Sequence, residues 1–191
     1  MSEHVIPRPS GSVDVRPCDP ADTDALLEVI NRAAVIYEGA IPADCWHVPY
    51  MSREALTEEI QRGVRFFGLR AGDALVAIMG MQDVRNARLI RHAYVLPAYQ
   101  GQGLGSILLR HCCQAQPPRP MLVGTWSAAH WAIAFYMRNG FAPVPAGCVL
   151  PLLRCYWDIP ARQAHSSTVL AQPALTVEQV SGLIKGGGPA G

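Results

Sequence analysis

A chain of 191 residues, half of them hydrophobic, has material for one folded domain with short tails. A net charge of +1 gives no long-range pull toward nucleic acid or an acidic membrane surface. No apolar run approaches the roughly 20 residues that span a bilayer, since Gly80 interrupts the longest one, Ala74 to Met81.

The opening MSEHVIPRPSGS lacks the apolar stretch of a secretory signal, so the expectation is a cytoplasmic protein without membrane contact. Six cysteines are present: Cys18, Cys45, Cys112, Cys113, Cys148 and Cys155. None forms a CxxC pair or a cluster with zinc spacing. Cys112 and Cys113 are neighbours on a predicted helix and diverge in direction, which makes a poor disulfide pair. Reduced, mostly buried thiols are expected, and no metal.

In chain order, residues 1–11 are polar and expected to be disordered. Ser12 to Arg16 alternates and suits a first strand. Asp19-Pro20 then provides a helix cap followed by proline at the first helical position. Leu26, Leu27, Ile30, Ala33 and Ala34 follow at helical spacing, and this helix should end near Tyr37 to Gly39. Glu38 to Tyr50 carries two prolines and is expected as a loop. Ser52 can cap a second helix to about Arg62, with Leu56 and Ile60 as its apolar positions.

Val64–Leu69, Ala74–Val84 and Ala87–Leu96 suit three strands of a meander, turning at Ala71-Gly72-Asp73 and at Arg85-Asn86. A helix from Gly103 to about Ala115, a strand Met121–Trp126, a helix Ala128–Asn139 ending at Gly140, and a strand Phe141–Val144 follow. Val149–Trp157 suits a helical turn or an irregular insert, and Ser166–Ala171 a final strand. The sequence TVEQVSGLIK can add a short helix within 174–191, a segment otherwise expected as a flexible tail. The order β-α-α-β-β-β-α-β-α-β-β, with one domain over 12–173, predicts an α/β fold. Its mixed, mostly antiparallel sheet should carry helices on both faces.

The most informative segment is Val95-Leu96-Pro97-Ala98-Tyr99-Gln100-Gly101-Gln102-Gly103-Leu104-Gly105-Ser106. It leaves a strand and enters a helix. Its glycines permit unusual backbone angles and close approach of a ligand. The free N–H groups and positive end of the helix suit phosphate or pyrophosphate. The spacing is neither GxGxxG nor a P-loop, and no Lys-Ser/Thr follows.

Gln100-x-x-Gly103-x-Gly105 resembles the Q/R-x-x-G-x-G/A signature of the GNAT superfamily of N-acetyltransferases. Tyr136 followed by Gly140-Phe141 resembles that family's Y-x-x-x-G-F ending, and Ala132 and Phe135 fit the helix before it. The chain departs from many relatives at Ala129, where they carry an asparagine.

The resemblance implies a GNAT fold and direct transfer of the acetyl group of acetyl-CoA to a primary amine of a small molecule or peptide. It implies no metal. Cofactor contacts would come from Val95, Leu96, Gln100, Gly101, Gln102, Gly103, Leu104, Gly105 and Ser106. The pantetheine arm would pair like an added strand against Ala87–Leu96, and amides near Val95 and Leu96 would hold the thioester carbonyl.

Tyr136 matches the family's tyrosine and would protonate the thiolate, its titration shaping the alkaline limb of the rate profile. His92, on the strand entering the glycine turn, is the leading base, because an imidazole accepts protons near neutrality. Alternation places His92 with Ile90 and Tyr94 and opposite Arg91, an arrangement that a single bulge would change. Glu38, Asp44, His47 and water are the other candidates. A domain that binds acetyl-CoA or a protein partner without turnover is the alternative reading. Sheets of this kind also pair in homodimers, which the sequence leaves open.

Overall fold

The computed structural model of the chain describes residues 14–186. The segment 1–11 and nearly all of the glycine-rich ending lie outside the described residues. Strand β1 (Arg16–Pro17) precedes a 3-10 turn over Pro20–Asp22, and helix α1 (Thr23–Ala34) continues from it. The expected cap is present: Asp19 Oδ1 accepts from the Ala21 N–H at 2.8 Å, and Asp22 Oδ2 accepts from the Asp19 N–H at 3.1 Å. Ser52 caps α2 (Arg53–Gln61) through a 3.1 Å bond from the Ala55 N–H.

β2 (Arg65–Ala71), β3 (Ala74–Val84) and β4 (Ala87–Val95) form the meander, and α3 (Leu104–Cys113) and β5 (Met121–Trp126) follow. Next come α4 (His130–Arg138), β6 (Ala142–Pro143), α5 (Val149–Tyr156), α6 (Ala161–His165), β7 (Ser167–Gln172) and α7 (Val177–Gly186). The seven strands lie in the order β1-β2-β3-β4-β5-β7-β6. Every neighbouring pair is antiparallel except β4 with β5. This is the mixed, mostly antiparallel sheet that the element order predicts.

Leu75 to Gln82 of β3 are buried without a break, so both faces of the sheet are covered. Phe66 and Phe67 mark the two sides: Phe66 meets His92, and Phe67 meets His111 of α3. One core cluster joins β2, β3 and β4 to Leu26 and Ile30 of α1, Leu56 of α2, and Leu104, Leu108 and Cys112 of α3. A second joins Leu89, Leu122 and Val169 of the sheet to Leu152, Leu153 and Tyr156 of α5 and Val180 of α7.

Three readings change. Ile60 is 38% exposed while Leu56 is fully buried, so the inward face of α2 runs through Leu56 and Glu59 instead. The segment after Cys148 forms two short helices, α5 and α6, because Leu152 and Leu153 have the second core to bury into. Residues 177–186 form the short helix that TVEQVSGLIK allows, docked on the domain instead of flexible: Val180 is buried, and the Leu183 carbonyl accepts from Asn86 Nδ2 and the Tyr156 hydroxyl, both at 3.1 Å.

Candidate active site

The parallel strands β4 and β5 stay paired only over Arg88–Ile90 against Met121–Val123, and then they part. The cause is local. Gly80 faces Arg91 and Ile78 faces Tyr94, so Met79 alone spans both His92 and Ala93. This is a β-bulge, and His92 takes a φ of +49° in it. A bulge bends its strand and interrupts the ladder. It also turns Arg91 and His92 to the same side, where both reach Glu59. Strict alternation had placed them on opposite faces.

Arg91 Nη2 donates to the two carboxylate oxygens of Glu59 at 2.6 and 2.7 Å, and its Nη1 donates to Gln82 Oε1 at 2.9 Å. His92 Nε2 is buried 3.4 Å from Glu59 Oε2, without the alignment of a hydrogen bond. Burial opposes the charge on Glu59, but the His92 contact and the Arg91 guanidinium outweigh it and hold its carboxyl below the usual carboxylate range. Sequence reasoning missed Glu59. The available signal was its place three residues after Leu56, on the same helix face.

The glycine turn has the predicted shape. Gly101 and Gly103 adopt φ values of +75° and +80°, and a Cβ at either would meet nothing within 4 Å. Both therefore border open space. Gly103 stands at the N-cap of α3 with no side-chain cap. The first intrahelical bond runs from Ile107 N–H to Gly103 O at 3.1 Å, so the amides of Leu104, Gly105 and Ser106 precede the hydrogen-bonded ladder. This geometry fits a pyrophosphate.

Gly105 has a different task. A Cβ there would lie 3.2 Å from Phe135, so its bareness seats α3 against α4. Arg138, three residues after Phe135 on α4, adds an exposed cation to the lining of the same cavity as the glycine turn.

The side chains of Gln100 and Gln102 donate to Val95 O at 3.1 Å and Ala98 O at 3.4 Å, so they brace the turn. The Leu96 N–H donates to Val76 O at 2.9 Å and is not free for a thioester carbonyl. Antiparallel alternation then points the Val95 N–H the other way, toward the gap beside β5. The free edge of β4 runs over residues 91–95 only, because Arg88–Ile90 are already paired.

One cavity of about 1080 Å³ touches the glycine turn, His92, Glu59, Val95 and Tyr136. Tyr136 is buried between Phe135 and Phe141. Burial, with Tyr37 and Cys112 nearby, lifts its phenol well above the ordinary range. It therefore stays protonated throughout the working pH range, and the expected titration on the alkaline limb is withdrawn.

Asp44 and His47 also line the cavity, both exposed, whereas Glu38 is exposed and does not line it. Ala129 is fully buried beside Ile41 and Trp126, so this position offers a ligand no polar side chain. Cys112 is buried and its thiol is pushed up to about 12, chiefly by burial and also by Cys113. Among the described residues no three His, Cys, Asp or Glu side chains gather as a metal site. None of the described helices is long and apolar enough to cross a membrane.

Solved structures share this architecture. The PaiA N-acetyltransferase of Thermoplasma acidophilum, solved with coenzyme A, is 20% identical over 84% of this chain and 98% of its own, with a TM-score of 0.62. An acetyltransferase from Thermus thermophilus is 20% identical over 84% of this chain and 96% of its own, at 0.60. A GNAT-family acetyltransferase from Staphylococcus aureus is 17% identical over 84% and 98%, at 0.57. At such identities the likeness establishes the fold. No curated protein matches the sequence significantly. A family model described as the acetyltransferase (GNAT) domain matches residues 27–149. That match spans well over half the chain, from within α1 through the parted strands and the glycine turn to the start of α5, and the chain belongs to the GNAT acetyltransferase family.

Proposed function

We propose that the protein transfers the acetyl group of acetyl-CoA directly to a primary amine. One observation carries the reading: a single cavity joins the phosphate-type turn at Gly101–Ser106, the open edge of β4, a buried phenol and an imidazole paired with a carboxylate. The amides at the start of α3 and the Arg138 guanidinium would hold the pyrophosphate. The exposed edge of β4 after Ile90 would take the pantetheine arm. The Val95 N–H would donate to the thioester oxygen as charge develops there.

His92 would take the proton that leaves the ammonium. Glu59 beside Nε2 favours the tautomer with hydrogen on that nitrogen, leaves Nδ1 as the acceptor, and stabilises the imidazolium that forms. The amine nitrogen then bonds to the acetyl carbon, the carbon–sulfur bond breaks, and the second proton, shed by the nitrogen as it becomes an amide, passes through water to the departing thiolate, which Tyr136 hydrogen-bonds. A phenol with a raised pKa is a reluctant proton donor, so Tyr136 serves chiefly by hydrogen-bonding the thiolate. Glu59 is a positioning residue, since it acts through His92.

Two measurements on the intact protein test this. Calorimetric titration with CoA should show saturable binding, and acetyl-CoA with an amine panel should release thiol in step with N-acetyl product. Absence of binding at millimolar CoA would remove the assignment. Binding without product on any amine would leave a domain that senses acetyl-CoA.

A further inference from the structure

We infer that the acceptor is a small primary monoamine with an aromatic body, of the arylalkylamine type; this rests on the acetyl-transfer reading above. The observations are the shape and the charge balance of the cavity away from the glycine turn. A Cβ at Gly124 would lie 3.2 and 3.3 Å from Cε2 and Cζ2 of Trp157. The indole is therefore laid against bare β5 backbone, just past the point where β5 leaves β4. It is a fixed aromatic wall.

From the end of α1 and the following loop come Tyr37 and Tyr50, stacked at 5.9 Å with 15° between their planes. Tyr37 also meets Trp131 at 5.6 Å. Tyr37, Tyr50, Tyr94, Trp131 and Trp157 all line this cavity, so aromatic surface dominates its acceptor side. Burial, with Tyr50 alongside, pushes the Tyr37 phenol up to about 12, as expected of a neutral, poorly hydrated pocket. Aromatic faces bind aromatic rings by offset or edge contacts and attract an ammonium through their quadrupoles.

The charge balance disfavours the other common acceptors. Three carboxylates line the cavity, and each has an arginine: Glu59 with Arg91 at 2.6 Å, Asp44 with Arg162 at 3.2 Å, and Asp158 with Arg62 at 3.2 Å. The last two pairs are exposed and individually weak, and their effect is local neutrality. A polyamine or aminoglycoside finds no unpaired carboxylate for its further ammonium groups. An amino-acid acceptor meets Arg91 and Arg162 already engaged with carboxylates, which leaves its own carboxylate poorly served on this side of the cavity. The Asp44–Arg162 pair also links the α1–α2 loop to α6 at the rim, which suits a small acceptor.

The test is thiol release from acetyl-CoA with 2-phenylethylamine and tryptamine against spermidine, kanamycin and glutamate. Thermal-shift titration of the CoA-bound protein with each amine gives a readout independent of turnover. The arylalkylamines should be preferred by at least about tenfold in kcat/KM and should alone raise Tm. Trp157→Leu should raise their KM about tenfold with the CoA Kd unchanged. Asp44→Asn, an exposed change that frees Arg162, should improve phenylalanine as an acceptor relative to 2-phenylethylamine. Faster turnover of spermidine, kanamycin or glutamate overturns the inference and leaves acetyl transfer standing. So does normal CoA binding with neither product nor Tm shift from the arylalkylamines. Failure of CoA to bind overturns the transferase reading as well.

Discussion

Glu59 of helix α2 and His92 of strand β4 approach to 3.4 Å, with Arg91 clamping the same carboxylate from the next position along the strand. The bulge makes this triangle, since an unbulged strand sends residues 91 and 92 to opposite faces. His92 holds a left-handed φ of +49°, which costs about 1–3 kcal/mol in a non-glycine residue and persists only where the surroundings fix it. Such strain clusters at working sites, in keeping with a base at this position. His92→Gln should retain CoA affinity while kcat falls about 10²–10⁴-fold, the range of a positioned acid–base group. Unchanged turnover would pass the role to water or to another cavity residue.

Glu59→Gln separates positioning from structure. If Glu59 orients the imidazole, kcat falls while KM for acetyl-CoA stays put. Tm falls in either case, and a purely structural role would leave kcat unchanged at temperatures well below it.

Glu59 also makes an acid-stability prediction. Its folded pKa lies below its unfolded value, so its contribution is present above the unfolded pKa and fades as pH falls through the folded one. Chemical denaturation from pH 7 downward should show stability declining through the acidic carboxylate range, with a shallower decline in Glu59→Gln. That variant should lose about 1–3 kcal/mol at pH 7, because Arg91 keeps its partly buried charge without a carboxylate. Identical pH slopes for the two proteins would contradict the pairing.

Gly103→Asp tests the phosphate turn. The position needs a φ of +80° and borders open space, so an added side chain is strained and places negative charge where phosphate is expected. CoA affinity should drop at least about tenfold, the penalty for charge and obstruction together. Arg138→Ala should weaken CoA less and leave Tm unchanged. Normal affinity in both variants, measured by calorimetry, would place the cofactor elsewhere.

Tyr136→Phe removes one hydroxyl from a ring held by Phe135 and Phe141. Tm and CoA affinity should stay within error while kcat falls, by about tenfold or more if the hydroxyl stabilises the thiolate. The alkaline limb should be the same in both proteins, because burial keeps the phenol protonated. A lower Tm with normal kcat would make Tyr136 a core residue only.

The sequence alone determined what local chemistry can encode. Asp19 and Ser52 appear as caps because a short oxygen-bearing side chain satisfies free amides within three residues. The three meander strands and the glycine turn into α3 are legible because alternation and left-handed glycines act over a few residues. Tyr136 and Gly140-Phe141 were singled out by their resemblance to a short family signature. The tertiary structure decided everything that needs partners distant in the chain. The bulge at His92 exists because β3 supplies one residue, Met79, against two. Glu59 joins the site because α2 packs beside that bulge; its spacing from Leu56 marks the inward face of α2 but not the strand residues it meets there. The Leu96 amide is withdrawn by Val76, twenty residues earlier. Helices α5, α6 and α7 are ordered by a second core that includes Leu89 and Leu122, which lie far from them in sequence and meet them only when the sheet is assembled.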